Sequence, residues 1–146
     1  MNDTQSTQEL SKSFILPVRV YYEDTDAGGV VFYANYLKFV ERGRTEWLRN
    51  LGVNQAKLAE EQQRIFVVIG TQVRYRSPAR LDDALEIKTR LTKVGNSSST
   101  FEQVAERNGE TLVESSIQIC CVDNQRFKPA PIPADIRSLF LSVQDN

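Results

Sequence analysis

The chain has 146 residues, enough for one domain with a sizeable buried core. Its 40% hydrophobic and 25% charged residues are ordinary globular composition and argue against disorder. The 18 basic and 19 acidic side chains leave a net charge of -1, so there is no bulk positive field to hold a nucleic-acid backbone.

Two further features of composition narrow the chemistry. There is no histidine, which rules out a Ser-His-Asp or Cys-His pair within one chain and a zinc site built on imidazole. The two cysteines, Cys120 and Cys121, are adjacent, so in a strand they point to opposite faces and are poorly placed to bond each other. Such cysteine usage fits a reducing compartment, and a cytoplasmic location is expected. No apolar run is long enough for a transmembrane segment, and the polar start lacks an apolar signal-peptide core. Residues 1–13 read as a flexible tail ahead of a single domain spanning 14–146.

In chain order, Pro17 to Tyr22 alternates and is rich in β-formers, which predicts a strand. Glu23 to Gly29 breaks that pattern with acids and glycines, as a loop does. From Tyr36 to Leu51 the period becomes helical, with Tyr36, Val40, Gly43, Trp47 and Leu51 on one stripe. Gly43 in mid-helix costs about 1 kcal/mol relative to alanine, which close approach of the helix to a sheet would offset. Gly52 stands where a left-handed residue ends a helix, and Asn54 caps a short second helix from about Gln55 to Glu61.

Strands dominate the rest. Ile65 to Arg76 is expected to place Ile65, Val67, Ile69, Val73 and Tyr75 on one face, leaving Phe66 and Val68 opposite, together with Val104, Leu112 and Val122. Pro78 to Asp83 is a loop; Leu85, Ile87, Thr89 and Leu91 form one face of the next strand. A turn at Gly95-Asn96 leads to a strand over Ser97 to Arg107, and Asn108-Gly109 signals a tight hairpin into Thr111 to Val122. Pro129, Pro131 and Pro133 stiffen the exit before a terminal helix over Asp135 to Leu141. The expected fold is α+β, with one long helix packed against a curved antiparallel five-stranded sheet. Apolar residues on the second sheet face predict a subunit partner.

The acidic turn Glu23-Asp24-Thr25-Asp26-Ala27-Gly28-Gly29 is the candidate chemical centre. Three readings of these residues stand side by side. One is a solvated acidic turn. Another is a divalent-cation loop using oxygens of Asp24, Thr25 and Asp26, although the later acidic ligand of an EF-hand is missing. The third is a catalytic carboxylate beside exposed backbone amides, with Gly28 and Gly29 bending the chain and the following helix offering its positive end to an oxyanion.

The stretch from Val20 to Leu37, VYYEDTDAGGVVFYANYL, resembles the signature of the hotdog-fold acyl-CoA thioesterases. It is similar to the 4-hydroxybenzoyl-CoA thioesterase family and to the short-chain branch associated with the Tol-Pal envelope system. Glu41 to Arg49, Arg80-Leu81-Asp82-Asp83 and Lys128-Pro129 extend the likeness to the Tol-Pal branch, so that it covers most of the chain from Pro17 to Pro133.

That resemblance implies the hotdog fold and hydrolysis of acyl-CoA thioesters, short-chain ones by overall coverage. It implies Asp26 as the catalytic aspartate, the backbone N–H of Tyr33 as the oxyanion donor, and Gly28 and Gly29 as the turn between them. Coenzyme A is part of the substrate and no separate cofactor is implied. The implied assembly is a homo-oligomer, a dimer of dimers with sites across the subunit interface. Acyl carrier protein is a candidate partner, and peripheral contact with the inner membrane a candidate refinement of location. Where the Tol-Pal branch usually carries a histidine this chain has Tyr33, and the Phe32-Tyr33 pair resembles the aryl-CoA branch instead.

Substrate binding needs cations for phosphate and an apolar slot for the acyl group. Arg74, Arg76 and Arg90 are the candidate cations, against a plain reading as solvated surface charge. Tyr22, Phe32, Tyr36 and Phe66 are the candidate slot, against a plain reading as core.

Overall fold

The computed structural model describes residues 11–146. Most of the expected flexible tail therefore lies outside the described residues. The first strand, β1 (Ser13–Arg19), is followed by a 3-10 turn over Tyr22–Asp24. Helices α1 (Asn35–Asn50) and α2 (Gln55–Gln62) come next. Four long strands follow: β2 (Arg64–Tyr75), β3 (Ala84–Val94), β4 (Ser98–Arg107) and β5 (Glu110–Asp123). The two-residue β6 (Lys128–Pro129) and helix α3 (Ala134–Val143) complete the fold.

The strands make one antiparallel sheet in the order β1-β3-β4-β5-β2, with β6 attached to β5. The expected meander is β3-β4-β5, and the expected five strands are joined by β6 as a sixth. All three helices feed one apolar cluster with the sheet: Phe39, Val40 and Trp47 of α1, Leu58 of α2, and Ile136 and Phe140 of α3. Burial of these side chains is the main driving force that holds helices on the sheet. Trp47 meets Phe101 of β4 edge to face, with centroids 6.2 Å apart.

Local sequence chemistry sets the element ends. Gly52 has φ of +95°, and the N–H groups of Gly52 and Val53 close on the carbonyls of Arg49 and Leu48, a left-handed stop to α1. The Asn54 side chain accepts the Lys57 N–H at 2.9 Å and starts α2. Asn108 and Gly109 both take positive φ, which suits the right-handed twist of the β4–β5 hairpin.

Three expectations are corrected. The first strand begins earlier and stops at Arg19, because Tyr22–Asp24 winds into a 3-10 turn. A bulge between Val68 and Gly70 changes the parity of β2. Phe66 therefore packs inward on Phe140 at 5.9 Å, while Val68 and Ile69 are exposed, and beyond the bulge Val73 joins the core. Leu112 is likewise a core residue and does not lie on the outer face.

Candidate active site

The site is built where the loop after β1 runs into α1. Thr25 and Val31 pair as an isolated antiparallel bridge, and the Asp26 N–H donates to the Val30 carbonyl at 2.9 Å. This closes residues 26–30 into a tight turn. Gly29 takes φ of +81°, a conformation that costs a side chain energy. The Gly28 N–H donates to Asp26 Oδ1 at 2.8 Å, which fixes the carboxylate against the turn. Asp26 itself is exposed in the single chain.

The other polar groups of the turn are also used locally. The Asp24 carboxylate accepts the Tyr21 N–H at 2.9 Å, and the Thr25 hydroxyl donates to the Tyr22 carbonyl at 2.9 Å. These oxygens do not converge on a common point, and among the described residues no cluster of three potential metal ligands occurs.

A second anchor lies at the start of α1. The Asp24 carbonyl accepts both the Phe32 N–H and the side-chain amide of Asn35, each at 2.9 Å. Asn35 is almost fully buried, so this short polar side chain ties the loop to the helix. The helix has neither a side-chain cap nor an acid in its first turn. Its end therefore keeps its partial positive charge for another anion. The N–H groups of Asn35, Tyr36 and Leu37 fold back on the carbonyls of Phe32, Tyr33 and Ala34. Among the described residues, the N–H of Tyr33 has no acceptor.

The loop 76–83 braces the arrangement from behind. Val31 donates to the Ala79 carbonyl at 2.8 Å, and Val30 pairs with Arg80. The Tyr36 hydroxyl accepts the Ala79 N–H at 2.9 Å, and burial pushes its pKa up, so it stays protonated. Asp83 accepts the Arg80 N–H at 2.8 Å and the Arg107 guanidinium at 2.7 Å. Partial burial works to raise its pKa, but these two donors outweigh it and hold the carboxyl below the usual aspartate value.

Beside the helix start, Val31, Tyr33, Tyr36 and Tyr75 line a pocket of about 280 Å³ together with Arg76, Ser77 and Pro78. Phe32 leans on Tyr33 with centroids 4.8 Å apart. Tyr75 meets Tyr33 edge to face at 6.1 Å, and its hydroxyl donates to the Tyr33 carbonyl at 3.2 Å.

The sequence-derived candidates thus separate into groups. Asp26, Gly28 and Gly29 share one turn; Tyr33, Tyr36 and Arg76 share the pocket, and Phe32 does not line it but rests against the Tyr33 ring. Arg76 is paired with Glu114 at 3.1 Å on the exposed surface. Tyr22 is 80% exposed. Three candidates sit elsewhere. Phe66 packs in the α3 corner. Arg74 lines a shallow groove with Gln72, Glu102 and Glu114. Arg90 pairs with Asp145 at 3.6 Å, near the C-terminus. Sequence reasoning missed Asn35 and Tyr75. The Ala-Asn-Tyr segment at the helix start was the available signal for Asn35, while nothing local marked Tyr75.

Comparison with known proteins agrees with this architecture. Residues 28–114 match the sequence profile of the thioesterase superfamily. The acyl-CoA thioesterase YbgC of Haemophilus influenzae is 45% identical over 131 residues, covering 90% of this chain and 96% of that protein. The acyl-CoA thioester hydrolase YbgC of Escherichia coli O157:H7 is 45% identical over 128 residues, covering 87% and 95%. Among solved structures, a probable thioesterase from Bartonella henselae superposes with a TM-score of 0.79 at 35% identity, covering 83% of this chain and 99% of its own. The chain belongs to the thioesterase superfamily, as a hotdog-fold acyl-CoA thioesterase.

Proposed function

We propose that the protein hydrolyses short-chain acyl-CoA thioesters to free acid and coenzyme A, with Asp26 as the reacting carboxylate and the Tyr33 N–H as oxyanion donor. The observation that carries this reading is the acceptor-free Tyr33 N–H at an uncapped helix start, on the same loop as the Asp26 turn. The thioester oxygen takes the Tyr33 N–H, and the developing negative charge meets the positive end of α1. Asp26 either attacks the carbonyl carbon, giving a mixed anhydride and releasing the thiolate, or takes a proton from an attacking water. Single turnover in isotopic water distinguishes these, because attack by Asp26 puts labelled oxygen first into the protein carboxylate when the anhydride opens there.

Two subunits joined along β2 are part of this reading. Among the described residues β2 pairs only with β5, and β2 carries Val68 and Ile69 at 50% and 55% exposure. Covering that edge with a second copy would also bring new walls to the exposed Asp26.

A second substrate reading rests on the pocket. Walls of Tyr33, Tyr36 and Tyr75 suit a flat aryl group as well as a short aliphatic one. Thiol release from short aliphatic, long aliphatic and hydroxyaryl CoA thioesters tests both. Fastest kcat/KM on short aliphatic thioesters supports the proposal. Fastest release from the hydroxyaryl member moves the function to the aryl branch, and no release from any member would leave a binding module.

A further inference from the structure

We infer that Tyr75 is a positioning residue for the reaction: its hydroxyl holds the Tyr33 carbonyl and so steadies, through Cα33, the N–H on which the thioester oxygen rests. This inference deepens the proposed function and rests on it.

Two peptide planes flank the Tyr33 Cα. No described peptide bond is cis, so in each plane the C=O and the next N–H point in opposite directions. The first plane joins Phe32 to Tyr33. Its carbonyl accepts the Asn35 N–H at 2.8 Å and so turns toward the helix. The Tyr33 N–H in that plane therefore points away from the helix interior, where it has no acceptor among the described residues.

The second plane joins Tyr33 to Ala34. Within the helix its carbonyl has only a long 3.4 Å contact from the Tyr36 N–H. The Tyr75 hydroxyl, at 3.2 Å, is the second donor to that oxygen. With both planes held, rotation about the two bonds at Cα33 is restrained, and with it the donor direction. The two planes meet at Cα33, so play in the second is passed to the first as a shift of the Tyr33 N–H, and a preorganised donor that shifts from the oxyanion position loses part of its effect.

The surroundings select Tyr75 for this task. The Tyr36 hydroxyl lies against the Ala79 N–H, and among the described residues the Tyr75 hydroxyl is the side-chain donor that reaches the Tyr33 carbonyl. Tyr75 is 45% exposed and is flanked by two rings, Tyr33 at 6.1 Å and Tyr36 at 5.8 Å. Partial burial, then the nearby Tyr33, pushes its pKa upward, so the phenol remains a donor at neutral pH. It stands at the last position of β2, a rigid element, and reaches across 42 residues of sequence to the helix start.

Steady-state kinetics of the full chain, Tyr75→Phe and Tyr75→Leu on its preferred CoA thioester test this role. Phenylalanine keeps the ring and removes only the hydroxyl. The expected result is a kcat about tenfold lower in Tyr75→Phe, with KM within about twofold and an unchanged melting temperature. Tyr75→Leu should lose the same factor in kcat and also raise KM through the lost wall. A Tyr75→Phe variant with full kcat, beside an impaired Tyr75→Leu, makes Tyr75 a wall only and overturns the inference. The Ala34 amide nitrogen shares the peptide whose carbonyl Tyr75 holds, so its NMR resonance provides a readout independent of turnover. It should move in Tyr75→Phe, and an unmoved Ala34 signal also overturns the inference. Wild-type inactivity on every thioester, by contrast, is failure of the functional reading itself.

Discussion

Gly43 of α1 lies directly against Gln103 of β4: a Cβ added to the glycine would stand 3.1 Å from the Gln103 side-chain nitrogen. It would stand equally close to Ile87 Cγ2 and Thr89 Oγ1. Gln103 has little room to retreat, because its amide nitrogen donates to the Val40 carbonyl at 2.7 Å and to the Thr89 hydroxyl at 2.8 Å, while its oxygen accepts from Arg44 at 3.0 Å. Gly43→Ala would gain about 1 kcal/mol in helix propensity but forces apart a packed, hydrogen-bonded layer at a cost of about 1–3 kcal/mol. The expected net effect is destabilisation by about 1 kcal/mol, read as a lower urea midpoint at unchanged slope. A higher midpoint would mean that the sheet yields freely at this contact.

Asp26→Asn isolates the charge of the proposed carboxylate. Asparagine retains an oxygen to accept the Gly28 N–H, so the turn should survive. As nucleophile or base, the neutral amide is inert, and kcat should fall at least about 100-fold with an unchanged circular dichroism spectrum. Full activity in a folded Asp26→Asn protein would remove both versions of the mechanism.

Tyr33 separates main-chain from side-chain contributions. Its hydroxyl makes no hydrogen bond among the described residues, and the residue is 62% exposed, whereas its N–H and carbonyl lie at the proposed site. Tyr33→Phe keeps the backbone, the pocket wall and the edge-to-face contact with Tyr75. Its kcat/KM should stay within about fivefold of wild type; a loss above about 2 kcal/mol in transition-state terms would show that the phenol itself takes part.

These features were not equally legible in the sequence. Gly52 and Asn108-Gly109 announced themselves through the positive φ they tolerate, and Asn54 through the side-chain oxygen it offers a helix start. Gly43 announced a close approach because a mid-helix glycine requires a reason. The face assignment of β2 failed because strand parity holds only while the ladder is regular, and the bulge at Val68/Gly70 is dictated by pairing with β5. β6 escaped notice for the same reason, since Lys128 and Pro129 form a strand only by lying against Asp123 and Val122. At the site, the Asp26–Gly29 turn was visible as a contiguous motif. Tyr75 was not, because its link to Tyr33 exists only once β2 and α1 have been brought together.

The brace behind the site should also give the protein an acid-sensitive element. Asp83 joins the Arg80 turn to Arg107, and the Arg80 turn carries Ala79, which bonds both Val31 and Tyr36. Its folded pKa is depressed, because the Arg80 N–H and the Arg107 guanidinium outweigh partial burial. A depressed carboxylate stabilises the fold fully above its unfolded pKa of about 3.9, and the contribution is lost as pH falls from there through the lower folded value. Wild type should therefore lose stability between about pH 4 and the folded pKa more steeply than Asp83→Asn, which has no carboxyl to protonate. Asp83→Asn should be the less stable protein at pH 7, and the gap should narrow on acidification. Melting temperatures of the two proteins from pH 7 to pH 3 check this directly, and parallel curves would show that Asp83 has the same proton affinity folded and unfolded.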